Sequence, residues 1–222
     1  MASLAALKVP RVHVWYLHSP DRTVPFEETL REVNKLYEEG YFAKLGISND
    51  QSWEVATLCE ICHRNGWVKP SVCQGIYNAF HRAVEPELLR CLRHHGIAFY
   101  CFNPLAAGML TGRCSRGEPD AVEAGTRFRP GVSVGGSYPE ALLRPLAKRH
   151  GVSEVECALR WLSHHSELKE ELGDGVVLGS SSVKQLDENL RAMAGGPLPD
   201  EIVDVLDRAW EIIQGKQLIY WH

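Results

Sequence analysis

The sequence has no apolar run approaching the roughly 20 residues that a membrane-spanning helix requires. It also has no basic run, against a net charge of −4. The first absence excludes a helical membrane span. The second excludes a nucleic-acid footprint, which needs clustered lysine and arginine. The opening segment Met1-Ala-Ser-Leu-Ala-Ala-Leu-Lys8 lacks the charged lead and apolar core of a signal peptide. Neither a GxGxxG fingerprint nor a lysine-bearing P-loop is present. The seven cysteines are odd in number and irregularly spaced, which argues against a disulfide framework and for reduced thiols in a cytoplasmic protein. Cys59 and Cys62 form a CxxC pair, but they fall on the apolar stripe of a helix, where packing is the expected role. His94-His95 and His164-His165 lack a third ligand, so no metal site is expected.

What is present is a regular alternation. Val12 to Leu17 is a β-branched and aromatic run that reads as a buried strand. A helix follows from Pro25 to Gly40, then a strand from Phe42 to Ile47, and a helix opened by Ser48-Asn49-Asp50 and ended by Gly66. Val72 to Gly75, Glu85 to His95 and Ile97 to Phe102 continue as strand, helix and strand. Strands with a helix in each gap predict βαβ units and a parallel sheet. The rhythm breaks from Arg113 to Ser137, which reads as a long surface loop. Helices resume over Pro139 to His150 and Ser153 to His164; a short strand, Val176 to Leu178, then runs into a helix. Ser182 and Gln185 have capping-box spacing at that junction. A last helix starts near Pro199-Asp-Glu201, and with no linker in the sequence, residues 1–222 are expected to form one domain.

In parallel α/β folds, ligands lie beyond the carboxyl ends of the strands. Those ends carry His18 and Asp21, Ser48 and Asn49, Gln74 with Tyr77 and Asn78, Phe102 and Asn103, and Ser180 to Ser182. Turn and cap chemistry explains some of these side chains. The small-residue run Asn103-Pro-Leu-Ala-Ala-Gly108 goes further, since it lets a backbone approach a ligand closely. The start of the helix after Ser182 offers free N–H groups and a positive dipole end, which suit a phosphate.

Tyr16-Leu-His18, Gly46-Ile-Ser-Asn49, Tyr77-Asn78, Asn103-Pro-Leu-Ala-Ala-Gly108 and Gly179-Ser-Ser-Ser-Val-Lys-Gln-Leu-Asp-Glu-Asn189, in this order, resemble the aldo-keto reductases, in particular their aflatoxin-aldehyde reductase branch. The resemblance runs from about residue 10 to the C-terminus. It implies a (β/α)₈ TIM-type barrel, here incomplete with about five parallel strands, and NADPH-dependent reduction of an aldehyde or ketone. By the same resemblance His18 would polarise the substrate carbonyl. Ser48, Asn49 and Gln74 would hold the nicotinamide carboxamide, Phe102 would stack on its ring, and Asn103, Leu105, Ala107 and Gly108 would line the pyrophosphate. Ser180, Ser182, Gln185, Glu188 and Asn189 would hold the adenosine end with its 2′-phosphate. Tyr77 and Trp221 would face the substrate. Gln185 stands where many relatives have an arginine, which leaves NADP against NAD open. The ending Tyr220-Trp221-His222 resembles fungal members and suggests secondary metabolism.

The family's aspartate, proton-donating tyrosine and lysine lie on its first three barrel strands, ahead of the strand that ends in His18. Such a barrel is not expected to close within this chain, and self-association would cover its open strand edges. Two functions therefore stay open. One is an NADPH-dependent carbonyl reductase in which His18 or a tyrosine such as Tyr77 supplies the proton; the other is a non-redox protein that keeps the pocket for binding or a different reaction. A truncated gene product is the third possibility.

Overall fold

The computed structural model describes residues 2–111, 138–214 and 219–222. Segment 113–137, read above as a loop, lies outside the described residues. The elements in chain order are α1 (Ala2–Leu7), β1 (Val12–Leu17), α2 (Phe26–Glu38), β2 (Phe42–Ser48), α3 (Ser52–Asn65), β3 (Pro70–Ile76), α4 (Leu88–His95) and β4 (Ala98–Phe102). After a 3₁₀ turn over Ala106–Thr111 come α5 (Tyr138–Arg149), α6 (Glu154–His164), β5 (Gly175–Val176), α7 (Val183–Met193) and α8 (Asp200–Ile213). The strands form one sheet in the order β1-β2-β3-β4-β5, every pair parallel. This is an open, incomplete (β/α)₈-type sheet with the expected number of strands.

Strand period places alternate residues on opposite faces. On one face Leu45, Ile47, Cys73, Phe99 and Cys101 are fully enclosed, under the apolar stripes Leu30 and Val33 of α2, Val55, Leu58 and Cys62 of α3, and Leu88, Leu89 and Leu92 of α4. Burial of each large side chain stabilises by about 1.5–3 kcal/mol, which makes this layer the main source of stability. On the other face, in register, stand Tyr16 with Gly46, and Ser48 with Gln74 and Tyr100. The Tyr16 ring lies flat across β2: a Cβ on Gly46 would come within 2.5 Å of it. Glycine at 46 is thus what lets the phenol span a strand and hydrogen-bond Gln74.

Most expected elements are present, with informative differences. Ser48-Asn49-Asp50 do not open α3. Ser48 completes β2, and the residue before the helix is Gln51, whose N–H donates to Glu54 Oε2 at 2.7 Å. Helix α4 begins at Leu88 rather than Glu85: Glu85 N–H donates to Arg82 O in a turn ahead of the helix, and its carboxylate accepts from the Tyr77 hydroxyl at 2.6 Å. Strand β5 is two residues long, extended by Val177 N–H donating to Cys101 O at 2.8 Å; among the described residues it has a neighbouring strand on one side, so little holds it extended. The short helix α1 buries no residue and had no periodic signal in the sequence.

Burial pushes the Cys59 thiol up to about 11 and Cys62 up to about 12. Neither is a nucleophile near neutral pH, as core packing requires.

Candidate functional site

A cavity of about 400 Å³ opens at the carboxyl ends of β2, β3 and β4, lined by Asn49, Ile76, Phe102, Asn103, Ile219, Tyr220 and His222. Its floor is set by two asparagines in left-handed backbone, Asn49 at φ 66 and Asn103 at φ 60. Asparagine tolerates this region better than most residues, and such strain clusters at functional sites. Asn49 is buried, and its Nδ2 donates to His18 O at 2.8 Å, Ser48 Oγ at 3.1 Å and Ser19 Oγ at 3.4 Å. It therefore ties the loop after β1 to the end of β2; His18 itself is exposed and is not among the residues that line the cavity. Asn103 Oδ1 accepts from Ala107 N–H at 2.6 Å, and Asn103 O accepts from Asn78 Nδ2 at 3.0 Å.

The loop after Asn103 keeps turning the same way, with φ of 48, 57 and 90 at Ala106, Ala107 and Gly108. The amides of Ala106, Ala107, Gly108 and Leu110 all donate within this loop or to Asn103. An anion lying against Leu105, Ala107 or Gly108 would meet those amides only as their present bonds exchange. At the far end of the sheet, Ser180, Ser181 and Ser182 are exposed and precede α7. Ser182 Oγ accepts from Gln185 N–H at 3.2 Å, as its spacing implied. The Gln185 side chain does not return to Ser182; its Oε1 accepts from Ser181 N–H at 2.9 Å and Ser181 Oγ at 2.8 Å. Glu188 sits 3.8 Å from Lys184, and Asn189 is buried.

The cavity thus brings together Asn49, Phe102 and Asn103, with Ser48 and Gln74 paired in register beside it. Ser180, Ser182, Gln185, Glu188 and Asn189 lie along the start of α7 and do not line it. Tyr77 is elsewhere. Its ring is 0% exposed and packs edge-on against Phe99 and Trp161; its hydroxyl donates to Glu85 and accepts from Glu167 N–H at 3.0 Å. Burial holds its proton well above the usual phenol range, so the expected contact of Tyr77 with a substrate is corrected to a core role. Trp221 turns away from the cavity to lie on Arg22, 5.4 Å from guanidinium to ring, while its neighbours Tyr220 and His222 form the wall.

Sequence reasoning missed several of these residues. Ile76, Ile219, Tyr220 and His222 were not assigned to the site, although the aromatic ending of the chain was a usable signal. Arg22, Asp50 and Glu54 were also missed. Glu54 is fully buried and binds Arg22 through both oxygens, at 2.6 and 3.0 Å. Asp50 is 4% exposed, and its Oδ2 meets no hydrogen-bond partner among the described residues. Burial, and then the neighbouring Glu54, raise its carboxyl to about 7. No local pattern marks such a cluster, because its members come from separate elements.

Among the described residues no group of histidine, cysteine and carboxylate side chains could hold a metal ion, and no helix is long and apolar enough to cross a membrane. A family model for the aldo/keto reductase family matches residues 1–211. The chain is 47% identical to an aldo-keto reductase of Pseudocercospora fijiensis (strain CIRAD86), over 99% of this chain and 77% of that protein. It is 44% identical to the aldo-keto reductase pigE of Monascus ruber, over 99% of this chain and 68% of that protein. It is also 43% identical to aflatoxin B1 aldehyde reductase member 2 of Mus musculus, over 95% of this chain and 61% of that protein. The strand-end motifs, the open parallel sheet and these likenesses agree: the chain belongs to the aldo/keto reductase family, which supports an oxidoreductase function.

Proposed function

We propose that the protein binds NADPH across the carboxyl ends of its strands and reduces an aldehyde or ketone. The observation that carries this reading is that Asn49, Phe102 and Asn103, from the ends of two strands that are not neighbours, share one cavity. The donor set fits the cofactor: an amide-rich floor for a carboxamide, an aromatic ring for a flat heterocycle, and an exposed, serine-rich helix start for a phosphate.

In this reading Ser48, Asn49 and Gln74 hold the carboxamide, and Phe102 covers one face of the ring. Asn103, Leu105, Ala107 and Gly108 follow the pyrophosphate, while Ser180, Ser182, Gln185, Glu188 and Asn189 hold the adenosine phosphate. When bound, the cofactor supplies a hydride. The part of this chain is to orient the carbonyl and stabilise its developing oxyanion, for which His18, in the loop that Asn49 holds, is the candidate donor. Tyr220 and His222 exclude water from one side. A small carbonyl compound is the substrate, and secondary metabolism is the proposed setting. Among the described residues the outer edges of β1 and β5 carry no neighbouring strand, and self-association is the expected way to cover them.

Titration with NADPH tests the reading. A ligand that binds only the folded state stabilises it by RT ln(1+[L]/Kd), so saturating NADPH raises the melting temperature by several degrees. No shift and no change in cofactor fluorescence would sink it. One observation favours a second reading, a non-redox binding protein: the Tyr77 phenol, a candidate proton donor by sequence, is committed inside the core. Cofactor binding without carbonyl-dependent NADPH oxidation would favour that alternative.

A further inference from the structure

Arg22, Asp50 and Glu54 lie close together, and Trp221 of the C-terminal tail covers Arg22. Arg22, in the loop after β1, donates through Nε and Nη2 to the two carboxylate oxygens of Glu54 on α3 and lies against the ring of Trp221. Asp50, two residues after β2, lies beside the same pair, with Oδ2 enclosed and without a hydrogen-bond partner among the described residues. Two carboxyl groups therefore lie beside one cation, which is bonded to Glu54 and also carries Trp221 of the tail. The groups facing Asp50 are Glu54 from α3, Arg22 from the β1 loop and the buried Cys73 thiol from β3. Of these, Arg22 alone is positive, and its Nε and Nη2 are already bound to Glu54.

We propose that Asp50 is a positioning residue for the C-terminal wall of the cavity: its neutral carboxyl leaves Arg22 beneath Trp221, whereas its ionised carboxylate draws Arg22 inward and loosens Trp221 and His222. The physical basis is competition. A buried carboxylate with an open lone pair is costly, and the nearest available donor is the guanidinium already bound to Glu54. Moving it inward sacrifices a cation–π contact, a smaller loss than an unpaired buried charge. The rest of the tail stays held, because Tyr220 OH donates to Glu87 and accepts from Ser52 N–H at 3.2 Å, and Ile219 O lies 3.3 Å from His81 Nε2. The effect is thus confined to the last two residues, of which His222 lines the cavity. Burial raises the Asp50 carboxyl to about 7, so the exchange falls in the neutral range.

The test uses the whole ligand-free chain with its tryptophans replaced biosynthetically by 5-fluorotryptophan, and it is independent of the proposed function. Fluorine NMR follows the Trp221 resonance, assigned with Trp221→Phe, across the neutral range. It should titrate with a midpoint near neutrality while the buried Trp161 resonance stays fixed, and Asp50→Asn should abolish the titration, leaving the low-pH position throughout. A Trp221 resonance that does not titrate, or one that titrates unchanged in Asp50→Asn because His222 drives it, overturns the proposal. If Asp50→Asn does not fold, Glu54→Gln decides. Freeing Arg22 for Asp50 should lower the midpoint by about one pH unit or more, and an unmoved midpoint overturns the proposal equally.

Discussion

The ends of β2 and β4 and the β5–α7 junction are both strand ends rich in small polar residues, yet they are built differently. At β2 and β4 Asn49 and Asn103 are buried or half-buried and hold left-handed backbone, and the side-chain amides of Asn49 and Asn78 tie strand ends together across 31 and 25 positions of sequence. At β5–α7 the serines are exposed, and their bonds stay within four residues. Val183 beside them is 85% exposed. The first region is preorganised by the tertiary structure, and its side chains already have partners before any ligand arrives. The second is a local motif on the open side of the sheet, where organisation comes from the helix start alone.

The sharpest way to break this contrast is Asn49→Ala. It removes the amide that donates to His18 O and Ser48 Oγ and leaves alanine at φ 66. Unpaired polar groups and strain together should cost about 3 kcal/mol in chemical denaturation and weaken NADPH binding in parallel. A loss below about 1 kcal/mol would show that the floor is not cross-linked in the way its geometry implies.

Asp50 comes next. Its folded carboxyl lies near 7, above the ordinary unfolded value, so the folded state retains a proton that the unfolded chain has released. Stability should fall as pH rises from about 4 to about 7 and be flat in this contribution above that. At about 1.36 kcal/mol per pKa unit the ceiling is near 4 kcal/mol, and relaxation brings the expected figure to about 2. Asp50→Asn should flatten the curve and raise the melting temperature above pH 7; melts that fall between pH 4 and 7 as steeply as the parent's would refute this.

At the junction, effects should be smaller and mainly functional. Ser182→Ala loses one cap bond, worth about 1 kcal/mol in a melt, and should reduce affinity for NADPH more than for NADH if the 2′-phosphate lies there. Equal losses for the two cofactors would place the phosphate elsewhere. Smallest of all, Lys184→Ala removes an exposed ion pair at 3.8 Å and should change stability by less than about 0.5 kcal/mol. A larger change would mean that α7 is covered by another surface, such as a second copy, which light scattering would detect.

Strands were legible because β-branched and aromatic runs of fixed period have few other uses; β1 matches its expected bounds, Val12 to Leu17. The α7 cap was legible for a similar reason, since Ser182 and Gln185 interact across a single turn. Ser48-Asn49-Asp50 misled, because the composition of a helix start is also that of a strand-end loop. Only the sheet decides which of the two forms. Tyr77 misled likewise: an aromatic at a strand end can face the ligand or the helices, and here Phe99 and Trp161 take it inward.

The sequence by itself determined the alternation of strands and helices, the parallel sheet, the family and the cap of α7. Each rests on residues close in the chain or on motifs in a fixed order. Only the tertiary structure decided that Asn49, Phe102, Asn103, Tyr220 and His222 share a cavity, that Trp221 turns outward onto Arg22, and that the buried Asp50 lies beside the Arg22–Glu54 pair. Those relations join residues up to about 199 positions apart, and pairings at such separation are set by packing and burial, which leave no local periodic trace.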